Sequence, residues 1–124
     1  MFIGDFAGNS SNVIGKDAEH PDYGKYNVGV GYMAMYSNTT GDHNVAVGYR
    51  TLGDNRSGDA NTAIGHEALF RNVSGGGNVA VGARTLNEHK TGQSNIAVGN
   101  SSGYYLSSGN NNTFIGSACG NSIK

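Results

Sequence analysis

The sequence predicts an all-β fold, a parallel β-solenoid of about seven coils, most of them 17 residues long. Two observations carry this expectation. Asn27, Asn44, Asn61, Asn78, Asn95 and Asn112 each open a block N-x-small-[VI]-G (NVGVG, NVAVG, NTAIG, NVAVG, NIAVG, NTFIG). Each block closes on a glycine in the same register, Gly31, Gly48, Gly65, Gly82, Gly99 and Gly116, and a second glycine column runs through Gly24, Gly41, Gly58, Gly75, Gly92 and Gly109. A short fixed period means stacked coils in contact with their neighbours, not a globule around one centre. The composition agrees: 21 Gly, no Trp and 36% hydrophobic residues suit a thin core of small and β-branched side chains.

Each coil begins with a strand. Around the small residue, the neighbours are mostly β-branched: Val45 and Val47, Thr62 and Ile64, Val79 and Val81, Ile96 and Val98. Alternation at period two gives one branched face and one small face, Gly29, Ala46, Ala63, Ala80 and Ala97, interrupted by Phe114. After the strand comes [VI]-G-x-x-[AST]-[LM], as in VGYRTL and IGHEAL. The Val or Ile and the small residue four positions on are expected to point inward, with Met35, Leu52, Leu69 and Leu86 as another stacked apolar column. An aspartate at Ile64 would then unfold the stack, whereas Glu67→Ala would cost little. The last blocks, VGNSSG and IGSACG, carry Gly in place of Leu. The remainder of each coil is a polar excursion such as GDNRSGDA, made of residues that tolerate positive φ or bond their own backbone. Across HEALFRN the pattern allows one helical turn, held to that length by flanking glycines.

The chain is read as a single repeat domain, 1–124, with coil anchors at Gly4, Gly15, Gly31, Gly48, Gly65, Gly82, Gly99 and Gly116. The first intervals are irregular, and one carries the only proline, Pro21. Met1 runs directly into the repeat at Phe2-Ile3-Gly4, so the chain reads as a piece of something longer. Neither end has an amphipathic capping segment, so the end coils around Phe2 and Phe114 need a cover or must tolerate exposure.

The Asn column Asn27, Asn44, Asn61, Asn78, Asn95 and Asn112 reads as a structural ladder: stacked amides can bond up and down the stack and to turn backbone. Asn9, Asn38, Asn55 and Asn72 match a glycosylation pattern, a by-product of abundant Asn, Ser and Thr. Cys119 occupies a small-residue slot of the repeat and has no partner for an intrachain disulfide.

The formal charge is −1 and no basic run exists, which argues against nucleic acid as a partner. No apolar stretch reaches the roughly 20 residues of a spanning helix, so no membrane insertion is expected. No catalytic motif is present, the chain reads as a non-enzyme, and no cofactor is expected. Histidines at 20, 43, 66 and 89 step by 23, which is out of register with 17, so they form no metal column. Asp42 and Asp59 would stack, but Gly76, Gln93 and Asn110 follow them, so no file of Ca²⁺ sites is expected. Aromatic residues are the best candidate binding groups: Tyr32 with Tyr49 and Tyr36 with Phe70 share repeat positions and would stack, and Tyr104 and Tyr105 add rings nearby in sequence. Such rings suit a sugar or a wet interface, or they shield coil edges and chain seams.

The units NTAIGHEALFRNVSG and NTFIGSACGN resemble the head repeats of trimeric autotransporter adhesins and, more closely, the N-T-A-[VI]-G-x-x-A-L and N-T-F-I-G-x-x-A-G repeats of bacteriophage tail fibres. The resemblance spans residues 2–121. It implies a left-handed β-helix-like roll, a homotrimer, and a structural or adhesive segment on a virion tail fibre or bacterial surface, acting as a rigid spacer with loops that meet a cell-surface glycan or receptor. The 17-residue coil departs from the adhesin heads, whose coils are nearer 14. The resemblance leaves one question open: whether the Ala stripe or the branched face meets a neighbouring chain. A monomeric carbohydrate- or ice-binding solenoid is the alternative, although Thr62 and Thr113 are isolated in their column. The hexapeptide pattern of left-handed β-helix acyltransferases is also matched, but once per coil where those enzymes have it three times.

Overall fold

The computed structural model describes residues 1–8 and 24–122. It is an all-β parallel solenoid. Seven strands lie in chain order in one sheet: β1 (Phe2–Ile3), β2 (Val28–Val30), β3 (Val45–Val47), β4 (Thr62–Ile64), β5 (Val79–Val81), β6 (Ile96–Val98) and β7 (Thr113–Ile115). From β2 to β7 the register advances by one repeat per rung: Gly29 pairs with Ala46, then Ala63, Ala80, Ala97 and Phe114. Five 17-residue steps are therefore in place.

The start differs from the expected seven-coil count. β1 pairs directly with β2, Phe2 opposite Gly29, so 27 residues rather than 17 separate these two rungs. Gly15 lies outside the described residues, as do Asn9, His20, Pro21 and Tyr23.

Only three residues per coil are strand, yet the backbone is bonded to its neighbours all the way round. Gly48 N–H donates to Val30 O (2.8 Å), Arg50 to Tyr32 O (2.9 Å), Leu52 to Ala68 O (3.1 Å), Asp54 to Phe70 O (2.9 Å) and Ala60 to Asp42 O (2.9 Å). The coil achieves this by turning through left-handed residues at fixed positions. Arg50, Glu67 and Arg84 have φ of 53°, 54° and 55°, and Leu52, Leu69 and Leu86 have φ of 50°, 49° and 48°. Such a conformation costs a non-glycine residue on the order of 1 kcal/mol, which the ring of inter-coil hydrogen bonds must offset. HEALFRN follows this turning path and forms no helical turn.

The glycine that ends each strand is demanded twice over. Gly65 has φ +132°, and a Cβ there would sit 2.5 Å from Gly82 O on the next coil.

The core corrects one expectation. The small face is the one that points inward: Ala46, Ala63, Ala80 and Ala97 are wholly buried. The branched column Val47, Ile64, Val81 and Val98 points outward instead, with Ile64 40% exposed. The reason is width. Leu52, Leu69 and Leu86 reach across the coil from the opposite wall and are fully buried, leaving room for only a methyl group on the strand side. Ala68, Thr51, Thr85 and Ser102, four residues after the branched column, do face inward as expected.

Where the strand residue grows, the opposite one shrinks. Phe114 is buried in the coil, and the Leu column there has become Gly: a Cβ on Gly103 would lie 3.1 Å from the Phe114 ring. Phe2 sits likewise against Gly8 of the Leu column, and a Cβ on Gly29, its neighbour along the sheet, would meet its ring at 2.7 Å. Ala plus Leu is exchanged for Phe plus Gly at nearly constant volume. The two end rungs of the described sheet are thus filled by their own rings rather than left hollow.

Candidate recognition surface and the polar ladders

The Asn27 column is buried between the excursion and the strand. Each Asn takes the backbone N–H of the next Asn on its Oδ1, as Asn44 N–H to Asn27 Oδ1 (2.8 Å) and Asn61 N–H to Asn44 Oδ1 (2.9 Å). Its Nδ2 donates to the glycine carbonyl of the next coil: Asn44 to Gly58 O (2.7 Å), Asn61 to Gly75 O (2.8 Å), Asn95 to Gly109 O (2.8 Å). The side chain thereby pins the loop at the step from excursion to strand.

A second ladder escaped the sequence reading. Asn38, Asn55 and Asn72 are fully buried, with Asn55 Nδ2 on Asn38 Oδ1 (2.8 Å) and Asn72 Nδ2 on Asn55 Oδ1 (2.7 Å). Burial takes these three out of reach of glycosylation. The signal was available, since they recur at 17, but it was hidden among turn-forming residues. His89 then takes the next place in this column, and Asn72 Oδ1 is left buried without a hydrogen-bond partner.

The His89 ring is held neutral. Nδ1 faces Leu106 O at 3.1 Å, so it carries the proton, and Nε2 accepts from Asn95 Nδ2 at 3.4 Å. Burial pushes its pKa below the ordinary value, outweighing the backbone hydrogen bonds to Leu106 and Gly92 that favour the charged form. The unfolded chain therefore binds a proton more readily than the folded one. Stability is full above about pH 6.5, the unfolded value, and declines as pH falls toward the lowered folded value. His89→Asn should abolish this slope in urea titrations between pH 8 and 5. At pH 8 the change should stay within about 1 kcal/mol, because the orphan acceptor moves from Asn72 to position 89.

On the surface, the residue after the strand-ending glycine builds an aromatic file over three successive rungs. Tyr32 and Tyr49 stack at 5.5 Å and 10°, Tyr49 and His66 at 5.1 Å and 11°, and Phe6 closes the end edge-on to Tyr32 at 5.9 Å. Phe6 also meets Tyr36, at 6.4 Å. His66 belongs to this file although the histidine spacing pointed to nothing; its position directly after Gly65 is the readable signal. Tyr26 and His43 stack at 4.9 Å on the other side of the strand. The file survives because coils repeat at roughly the thickness of an aromatic ring plus contact distance.

The expected Tyr36–Phe70 stack takes another form. Gly53 stands between them in the column, and Phe70 leans over it while the Arg50 guanidinium lies 4.3 Å from the Phe70 ring centroid. The result is a small notch lined by Met33, Tyr36, Arg50, Gly53, Asp54 and Phe70. Tyr104 and Tyr105 pair edge-on at 4.7 Å, three coils from Tyr49. The structure thus brings Tyr32, Tyr49 and Tyr36 to one end with Phe6 and His66, and keeps Tyr104 and Tyr105 apart from them.

Charged groups line the excursions and the second position after the strand-ending glycines. Arg50 meets Glu67 at 3.2 Å and Arg71 meets Glu88 at 2.8 Å, surface pairs one rung apart that contribute little each. Asp42 and Asp59 are occupied in the same way: Asp42 Oδ1 accepts Lys25 N–H (2.6 Å) and Asp59 Oδ1 accepts Asp42 N–H (2.8 Å). Among the described residues no three His, Cys, Asp or Glu side chains converge as a metal site. Cys119 is half-buried against the core. No helix among the described residues is long and apolar enough to cross a membrane.

Compared with known proteins, the chain matches no family model, no curated protein and no solved structure.

Proposed function

We propose that the chain is a non-catalytic segment of a surface fibre, either a phage tail fibre or a bacterial adhesin, on a virion or outside a cell. It acts as a stiff homotrimeric spacer that carries a recognition surface. One observation carries this reading: from β2 to β7 the rungs repeat without a break and are hydrogen-bonded round the whole coil. Such a stack lengthens by about 4.8 Å per coil and resists bending because each coil is fixed by both neighbours. The resemblance of its repeats to those of tail fibres and adhesin heads supports the same reading. The exposed file Phe6, Tyr32, Tyr49 and His66 is the surface best suited to a cell-surface glycan, since apolar sugar faces lie flat on aromatic rings.

Two measurements test this. Light scattering on a sizing column should give three times the chain mass of 12.8 kDa. On a glycan array, Tyr32→Ala and Tyr49→Ala should each weaken binding about tenfold, equivalent to about 1.4 kcal/mol, with unchanged circular dichroism. A monomer that binds glycans would instead favour a self-sufficient carbohydrate-binding solenoid. Array binding unaffected by either variant would reject the aromatic file as the recognition surface.

A further inference from the structure

Among the described residues nothing covers the outer face of the sheet. Its two branched columns, Val28, Val45, Thr62, Val79, Ile96, Thr113 and Val30, Val47, Ile64, Val81, Val98, Ile115, all point away from the core. Ile64, Ile96, Val98 and Ile115 are 40%, 42%, 37% and 70% exposed. Parallel sheets are almost always covered on both faces, because their strands are apolar on both sides. Here one face has the coil interior, and no described element packs on the other.

The charge distribution marks the same face. The columns that border the branched ones begin at Tyr26 and Tyr32 and run to Asn111 and Ser117. Through all four columns, from Tyr26 to Ser117, there is no Lys, Arg, Asp or Glu. The charges from Lys25 to Lys90 all fall in other columns, the nearest being Lys25, Asp42 and Asp59 on one border and Arg50, Glu67 and Arg84 on the other. Loss of charge from the centre of a patch is the compositional mark of an interface.

We infer that this sheet face is the seam between copies of this chain, the branched columns of one copy packing against those of another. The inference rests on the homo-oligomeric reading above and names the surface that makes it. Size fits: six rungs by the four columns cover roughly 30 by 20 Å, about 600 Å² per copy, with the Tyr32 file at the rim, where its rings stay open to solvent. Two such faces bury about 1,200 Å², at the threshold for a stable interface. Period fits better still. A second copy is the partner whose ridges repeat at the same rung spacing, so its side chains interleave over the whole length. Within the two branched columns a glycan would find only the hydroxyls of Thr62 and Thr113 for its polar groups. An anionic membrane would find no basic residue in these columns.

The test uses the whole chain. Ile64→Lys combined with Ile96→Lys should leave circular dichroism intact and lower the light-scattering mass to the 12.8 kDa monomer. A cross-linking measurement guards against a variant that fails to fold. β4 is the middle strand, so its residues meet their counterparts whether copies run parallel or antiparallel. With Cys119 replaced by Ser, Ile64→Cys should be joined between copies by a short bis-maleimide, and Arg56→Cys, on the charged side, should not. An oligomeric wild type with Arg56→Cys joined as readily as Ile64→Cys would overturn the face while leaving the oligomer reading in place. A wild type that stays monomeric across concentration, with neither cysteine cross-linked, would overturn both.

Discussion

Ala63→Asp should abolish folding, while Ile64→Asp, one residue further on, should leave the coil standing. Ala63 is sealed between Ala46 and Ala80 along the sheet and faces the Leu column across the coil. A carboxylate there has no cation and no solvent, and the coil is too narrow to admit it without forcing the strand off the opposite wall. The loss should be about 4 kcal/mol or more, a large share of the stability of a domain this size. Ile64 points outward, so an aspartate there costs about 1 kcal/mol in strand preference. It should, however, dissolve the seam between copies. Thermal melts followed by circular dichroism separate the two cases: no cooperative transition for the first, and a modestly lowered one for the second. Equal melting of both variants would show that the two faces of β4 are not distinguished as described.

The second large effect should come from Asn61→Leu. Removing this amide strips Asn78 N–H of its acceptor at 3.0 Å and leaves a buried backbone donor unpaired. It also removes the bonds from Asn78 Nδ2 to Asn61 Oδ1 and from Asn61 Nδ2 to Asn44 Oδ1, both 3.1 Å. Gly75 O loses one of two donors, since Asn72 Nδ2 still reaches it at 3.0 Å. One orphan and three lost bonds, partly offset by the apolar replacement, amount to about 2–4 kcal/mol. Asn112→Leu is the internal comparison. Asn112 sits at the last rung, and Asn95 Oδ1 keeps the backbone N–H of residue 112 at 3.0 Å after the change. Its cost should stay below about 1 kcal/mol. Urea midpoints of the two variants measure the difference, and similar losses for both would rule out the ladder as the stabilising element.

The surface reading depends on particular residues in the same way. Tyr32 and Tyr49 could be paired from their shared position after the column glycine, because one repeat in sequence is one rung in space. Tyr36 and Phe70 share a column too, but Gly53 between them and the nearby Arg50 decide what the ring at Phe70 touches. Those are contacts across the coil surface, which no spacing rule contains. His89 illustrates the same limit. Its step of 23 from the preceding histidine means nothing, whereas its place in the column of Asn38, Asn55 and Asn72 means a buried imidazole and a stranded amide oxygen.

Repetition by itself determined the parallel solenoid, the 17-residue rung, the positions of the strands and the glycines at which they end. These follow from translation: whatever one coil does, its neighbour must do in register, so period becomes geometry directly. Which face of the strand is inside could not be read that way, because alternation of Val with Ala defines two faces without choosing between them. The tertiary structure chose, through the reach of Leu52, Leu69 and Leu86 from the far wall of a narrow coil. That packing turns the alanines inward and leaves the larger, branched side chains outside, against the usual preference for burying the bigger apolar group.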